Sequence, residues 1–341
     1  IAGGVTTVLD MPNNTPPTIN RDTLEKKKTI MQELLTQSGI PLRYKLWLGA
    51  TPDNLTDIEE LKDEIVGIKL FMGSSTGNLL VDKHADQEKI FALAARLKLV
   101  IGVHAEDEAR IRQNTEKYRN ERDVRIHSKI RNANVATEAA DQAIGLAKKS
   151  GATLYLLHVS TRAELEIIRQ AKQDGVRVFC EVTPHHLFFN EDDYPRLDTR
   201  GQMNPPLRTA DDNEALWQGI CDGTVDTIAT DHAPHTLAEK SRPYGEAPSG
   251  VPGIENYLAL LLDAAQTGKI TLEKIVQLTH DNPQKIFGLE SNSDVVLVDL
   301  KKTKTIVDAD QKTKCGWSPY AGLTLRGWPV YTVLRGQLFR V

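Results

Sequence analysis

Cysteine is scarce in this chain of 341 residues. Cys180, Cys221 and Cys315 stand far apart with no CxxC pair, which argues against a disulfide framework and a thiolate zinc site and fits a reducing, cytoplasmic setting. An excess of positive charge is also missing. With 42 Lys and Arg against 46 Asp and Glu, the net charge of −4 provides no basic field for nucleic acid or an anionic membrane. No run of about 18 apolar residues is present to span a bilayer. The start, Ile1-Ala2-Gly3-Gly4, lacks an initiator Met, a basic n-region and an apolar h-region, so it is not a signal peptide and reads as a cut end. No internal repeat or low-complexity tract stands out.

What is present is an alternation of two periodicities. Runs rich in β-branched residues occupy positions 5–11, 43–50, 65–72, 99–106, 153–160, 177–183 and 226–231. Several are continuously apolar, as strands covered on both faces are. Helix-period segments at 21–36, 54–64, 87–97, 136–149, 162–173 and 210–221 separate them. Asn20 or Asp22, Thr161 with Glu164, and Thr209 before Asp211 and Asp212 mark helix starts. Strict alternation predicts parallel strands with helices outside: an α/β (β/α)₈ barrel, of which seven strands are visible. Such a barrel takes about 250 residues. The expected division is a barrel over 1–290 and a small β-sandwich module over 291–341, the latter from short alternating runs at 294–300, 305–307, 330–335 and 337–341.

Four of the strands end in residues able to bind a metal: Ile68-Lys69-Leu70-Phe71, Val103-His104-Ala105-Glu106, Leu157-His158-Val159-Ser160 and Ala229-Thr230-Asp231-His232. Barrel enzymes keep their chemistry at that end of the strands. Each residue also has a plainer reading. Lys69 in a buried strand is either a snorkelling rim lysine or an ion-paired or chemically altered one, because an uncompensated buried ammonium is costly. His104 and His158 are satisfied core histidines or ligands. Glu106 and Asp107 suit a helix start. Asp231, after an apolar run and before His232 and His235, is hard to explain as core. His185 and His186 read as structural or as supports of a ligand. His84, His127 and His280 read as exposed. Lys, His, His and Asp at strand ends together point to metal-assisted hydrolysis. Ser74-Ser75-Thr76-Gly77-Asn78 reads as a turn after the third strand.

The motifs Asp10-Met11-Pro12-Asn13-Asn14, Gly67-Ile68-Lys69-Leu70-Phe71-Met72-Gly73, Val103-His104-Ala105-Glu106-Asp107, Leu157-His158-Val159-Ser160-Thr161, Met203-Asn204-Pro205-Pro206-Leu207-Arg208 and Thr230-Asp231-His232-Ala233-Pro234-His235 together resemble the dihydroorotases of the cyclic amidohydrolase family. They lie in family order over nearly the whole chain. Lys314-Cys315-Gly316-Trp317-Ser318-Pro319-Tyr320 is similar to part of that family's small sandwich. Hydantoinases, dihydropyrimidinases and allantoinases share the plan and form the alternative substrate reading.

The resemblance implies a two-zinc centre bridged by carbamylated Lys69, with His104 and His158 on one metal and Asp231 on the other. A metal-bridging hydroxide would attack the cyclic amide of L-dihydroorotate, with Asp231 as acid and base, giving N-carbamoyl-L-aspartate in pyrimidine biosynthesis. Asn13 and His235 would bind the substrate carboxylate. Asn204 would lie against the ring, and Arg208 would assist or brace its loop. A homodimer and association with aspartate transcarbamoylase are the implied assemblies.

The chain departs from the family in one respect. The His-x-His-x-Arg motif of the family's first strand is absent, and no other His-x-His occurs. Either a preceding segment supplies it, the expectation favoured by the survival of Lys69, His104, His158 and Asp231, or the protein is a non-catalytic partner. The link at 288–293 also looks shorter than in the family.

Overall fold

The computed structural model describes residues 1–75 and 77–341. Thr76, and with it the expected turn at 74–78, lies outside the described residues. Seven parallel strands form one sheet in chain order: β1 (Thr7–Asp10), β2 (Arg43–Gly49), β3 (Gly67–Phe71), β4 (Val100–His104), β5 (Thr153–Leu156), β6 (Val178–Val182) and β7 (Thr227–Ile228). Helices separate them, as the alternating periodicities predict. An antiparallel sheet of order β10-β9-β8 follows, from β8 (Val295–Thr305), β9 (Thr324–Leu334) and β10 (Gln337–Arg340).

The chain divides into two compact units, one of 7–117 and 131–181, the other of 1–6, 118–130 and 182–341. In the first, every residue of β3 and β4 is buried, so neither strand has a polar face. Their register sets Lys69 opposite Gly102 and Phe71 opposite His104. Gly67 and Gly102 lack side chains because the Trp47 ring fills that space; a Cβ would come within 2.6 Å of it at Gly67 and 2.9 Å at Gly102. Three helices begin where the sequence marks them. Asn20 with Thr23, and Thr161 with Glu164, close capping boxes here, and Thr209 with Asp212 does so in the second unit.

In the second unit, Trp317 and Tyr320 are fully buried in a cluster with Phe189, Tyr194 and Leu260. Phe189 stacks on Tyr320 with ring centroids 4.8 Å apart. Two strand expectations need correction. The run at 226–231 gives only Thr227–Ile228, because Asp231 adopts φ 41°, which no strand residue can hold. The runs at 294–300 and 305–307 merge into the single strand β8, which pairs with an equally long β9 through two register shifts.

Lys240 clamps the loop that follows Asp231. Its ammonium is fully buried and donates to Gln202 O at 2.9 Å and Pro248 O at 2.8 Å, while Thr199 Oγ1 donates to the Lys240 carbonyl. Burial pushes the ammonium down to about 7. Between that value and the ordinary lysine range near 10.4, the unfolded chain holds a proton that the folded chain has lost, so stability rises with pH. Lys240→Met keeps the volume and removes the titration. In urea unfolding, the stability of the wild type relative to Lys240→Met should increase from pH 7 to pH 9, by at most about 1.4 kcal/mol per pH unit. A constant difference would show that Lys240 stays protonated in the folded state.

Candidate functional site

In the first unit, three expected residues lie on or just past neighbouring strands. Lys69, 3 % exposed, sits on β3 with its Nζ 4.2 Å from the Phe71 ring centroid. His104 closes β4, and His158 lies two residues beyond β5, where Leu157 N–H donates to Val103 O at 3.1 Å. Nδ1 of His104 and Nε2 of His158 face each other at 2.9 Å, their rings edge to face.

Around this pair is a buried polar shell. Glu106, with no exposed surface, accepts from His104 Nε2 at 2.8 Å and from the Arg131 guanidinium, which also donates to Ser74 O. Glu106 is therefore not a helix-start residue: the helix begins at Glu108, and the carboxylate instead fixes the His104 ring. With its Nε2 proton directed at Glu106, His104 presents the Nδ1 lone pair to His158. Burial holds His104 below its ordinary range, and the charges of Lys69 and Arg131 add to that, against the pull of Glu106.

Glu181 was not among the residues that the strand ends suggested. It lies on β6, accepts from Tyr155 Oη at 2.7 Å and from the His158 N–H at 3.2 Å, and is pushed up to about 7 by burial. A carboxylate inside the apolar run Val178-Phe179-Cys180-Glu181-Val182 is as anomalous as Lys69 in its strand, and that signal could have found it. Beyond His158, Glu164 accepts from Ser160 N–H at 3.1 Å and Thr161 N–H at 3.0 Å, fixing the turn. Asn13 is also in this unit, in the segment after β1, partly buried. Gly77 approaches it closely: a Cβ there would meet Asn13 Cβ at 3.1 Å.

The second unit holds the other expected residues. Asp231 follows β7 with a side chain one-third exposed. His232 Nδ1 accepts from Gly253 N–H at 3.1 Å, and Ala233 N–H donates to Val251 O at 3.1 Å, which pins the backbone on the far side of Asp231. Among the described residues, five non-glycine residues have positive φ, and His158 and Asp231, both at 41°, are the two that follow parallel strands. Backbone held in that region stores about 1 to 3 kcal/mol per residue and clusters at functional sites.

His185 is 1 % exposed, and its Nε2 lies 4.0 Å from Asp231 Oδ2. Burial, and then the neighbouring His186, hold it well below the ordinary histidine range, so it is neutral beside the carboxylate. His186 is a brace, with Nδ1 2.9 Å from Thr183 Oγ1 and Nε2 donating to Pro205 O at 3.1 Å. His235 is partly buried and donates from Nε2 to Ser249 O at 3.1 Å, leaving Nδ1 as the ring atom available to a ligand. Arg208 is 3 % exposed, and its backbone oxygen accepts from Glu191 N–H at 2.8 Å. Asn204 is partly exposed. The expectation for His127 is overturned. It is 6 % exposed, with Nε2 at 2.9 Å from Asn204 Oδ1. His84 and His280 are exposed, as expected.

Among the described residues, no group of three His, Cys, Asp or Glu side chains is arranged to hold a metal ion. In the first unit the histidines have Lys69 close by, and a lysine amine offers no anionic donor. Two imidazole nitrogens bound tetrahedrally at about 2.0 to 2.1 Å stand roughly 3.3 Å apart. The observed 2.9 Å needs only a small rotation to reach that spacing, so the donors fit one metal. Among the described residues, no helix is long and apolar enough to cross a membrane.

The amidohydrolase family model matches residues 1–339. The dihydroorotase of Halobacterium salinarum is 35 % identical over 345 residues, covering 98 % of this chain and 78 % of the relative. That of Methanosarcina mazei is 33 % identical over 358 residues, covering 99 % of this chain and 76 % of the relative. Among solved structures, the L-hydantoinase (dihydropyrimidinase) of Arthrobacter aurescens matches with a TM-score of 0.92 at 29 % identity, covering 99 % of this chain and 77 % of the other. With strands, strand-end residues and sequence in agreement over almost its entire length, this chain belongs to the amidohydrolase family.

Proposed function

We propose that this chain is a dihydroorotase, hydrolysing the cyclic amide of L-dihydroorotate reversibly to N-carbamoyl-L-aspartate. The observation that carries the reading is the set Lys69, His104 and His158 on or just past adjacent strands, joined to relatives named dihydroorotase at 33 to 35 % identity. Zinc, a carbamate on Lys69, a place in pyrimidine synthesis, a cytoplasmic location, a homodimer and association with aspartate transcarbamoylase are the finer parts of the same proposal.

A bound divalent metal would polarise the scissile carbonyl and bring a water's pKa into the neutral range. The chain's own residues do the rest. Nδ1 of His104 and Nε2 of His158 are the donor atoms, with Glu106 and Arg131 fixing the first ring and Glu181 the backbone of the second. Carbamylated Lys69 adds an anionic oxygen where a buried ammonium would be costly. Asp231, held in a strained backbone and partly exposed, takes the proton of the attacking water and returns it to the leaving ring nitrogen. Asn13 and His235 meet the substrate carboxylate, Asn204 the ring, and Arg208 braces the loop. His235 donates to that carboxylate through Nδ1 only as imidazolium, since Nε2 is committed to Ser249 O.

A second reading, opening of a hydantoin or dihydropyrimidine ring, is consistent with the TM-score of 0.92 to the L-hydantoinase. Initial rates on dihydroorotate, a 5-substituted hydantoin and dihydrouracil decide between them; faster turnover of either of the last two would replace the first reading.

Asp231→Asn should lower kcat by about 10²-fold or more with the fold intact, because it removes the proton acceptor without changing volume. Circular dichroism and steady-state rates check this, and near-normal kcat would remove Asp231 from the proton path. Lys69→Ala should lose bound metal and activity together. Full metal content in that variant, measured by elemental analysis, would sink the carbamate model.

A further inference from the structure

We infer that His127 is a positioning residue for substrate recognition: it fixes the Asn204 side chain so that the amide N–H group, not the carbonyl, is offered to the substrate ring. This rests on the reading above that Asn204 meets the substrate.

His127 lies on the short helix Ile126–Ile130 and is 6 % exposed. Its Nε2 is 3.0 Å from Met203 O and 2.9 Å from Asn204 Oδ1. Both neighbours are acceptors, so Nε2 carries the proton and shares it between them. On the other side of the ring, Nδ1 is 3.3 Å from Tyr244 Oη, and the rings meet edge to face with centroids 5.8 Å apart. Tyr244 donates to Nδ1, which keeps the proton on Nε2. The next residue holds the far end of the same loop: Ser128 Oγ donates to Leu207 O at 2.8 Å and accepts from Tyr194 Oη at 2.9 Å.

Turning the Asn204 amide over would place its NH₂ against the Nε2 proton, two donors face to face. With the orientation fixed, the amide oxygen is already engaged and the amide nitrogen of this partly exposed side chain is left to donate. The site therefore recognises a hydrogen-bond acceptor on the ring and disfavours a ring donor at that place. Sequence spacing gives no hint of the pair, which is separated by 77 residues.

The test is steady-state kinetics on L-dihydroorotate with the intact, metal-loaded protein, with metal content and thermal midpoint measured alongside. His127→Phe keeps the ring and loses the donor; KM should rise about 5- to 10-fold, the worth of one ordinary hydrogen bond, with kcat and metal content nearly unchanged. His127→Gln, whose amide can donate to Asn204 Oδ1, should restore most of the loss. In an Asn204→Ala background, His127→Phe should add nothing. If His127→Phe fails to fold, Tyr244→Phe carries the test, with a KM increase of about 2- to 3-fold that vanishes in the Asn204→Ala background. An unchanged KM in the folded His127 or Tyr244 variant, with KM raised in Asn204→Ala, overturns the inference and leaves the dihydroorotase reading standing. An unchanged KM in Asn204→Ala removes Asn204 from the substrate and the inference with it, whereas an inactive wild type fails the functional reading itself.

Discussion

Burial of polar groups at the ends of parallel strands is the constraint on which the rest of this structure depends. A strand covered on both faces leaves no solvent for a lysine, a carboxylate or an imidazole, so each must be matched inside the protein. β3 to β6 carry one such residue after another: Lys69, His104, His158 just past β5, and Glu181. Glu106, Arg131 and Tyr155 are there to answer them. A chain selected for stability alone would fill these places with Val, Ile or Leu. Keeping them there costs stability that apolar residues would not, which is what the proposed chemistry would require.

The same logic accounts for how much could be read from the sequence. Lys69, His104, His158 and Asp231 were legible because each is out of place in an apolar run, and because strand ends are where the barrel presents its chemistry. The alternating periodicities showed the seven parallel strands, and side-chain caps such as Thr161 with Glu164 showed where helices begin. Glu181 was legible by the same rule as Lys69. His127 was not, since its burial depends on a loop 76 and 77 residues further on that folds back over it. The short β7 was misjudged because a positive φ at Asp231 has no signature in residue type. The long pairing of β8 with β9 was obscured by register shifts that break the alternation.

The two imidazoles also bear on how a site can be prepared before its ligand arrives. His104 is fixed by Glu106 from one side and faces His158 on the other, so the ring atoms that would bind a cation already point at one another. Little side-chain entropy remains to be lost on binding. Asp231 is prepared differently, by backbone: His232 and Val251 tie down the chain beyond it, and the carboxylate is left partly open to solvent. The two histidines are held by side-chain contacts in the interior, Asp231 by a strained turn that leaves its carboxylate partly exposed.

The second unit contains residues 1–6 together with 182–341, and their contacts span nearly the whole chain. Gly3 lies so close to the backbone at Ile254 and Glu255 that a Cβ would come within 2.0 Å of the Ile254 carbonyl oxygen, Gly4 abuts Leu258 and Val296, and Thr332 Oγ1 donates to Ile1 O across 331 positions. The partners of residues 1–6 therefore lie about 250 positions or more further along the chain. The unit built from 7–117 and 131–181, by contrast, draws all its residues from the first 181 positions. Contacts of such long sequence separation return stability only after their loop-closure entropy has been met, which places the docking of residues 1–6 among the features of this unit that slow folding.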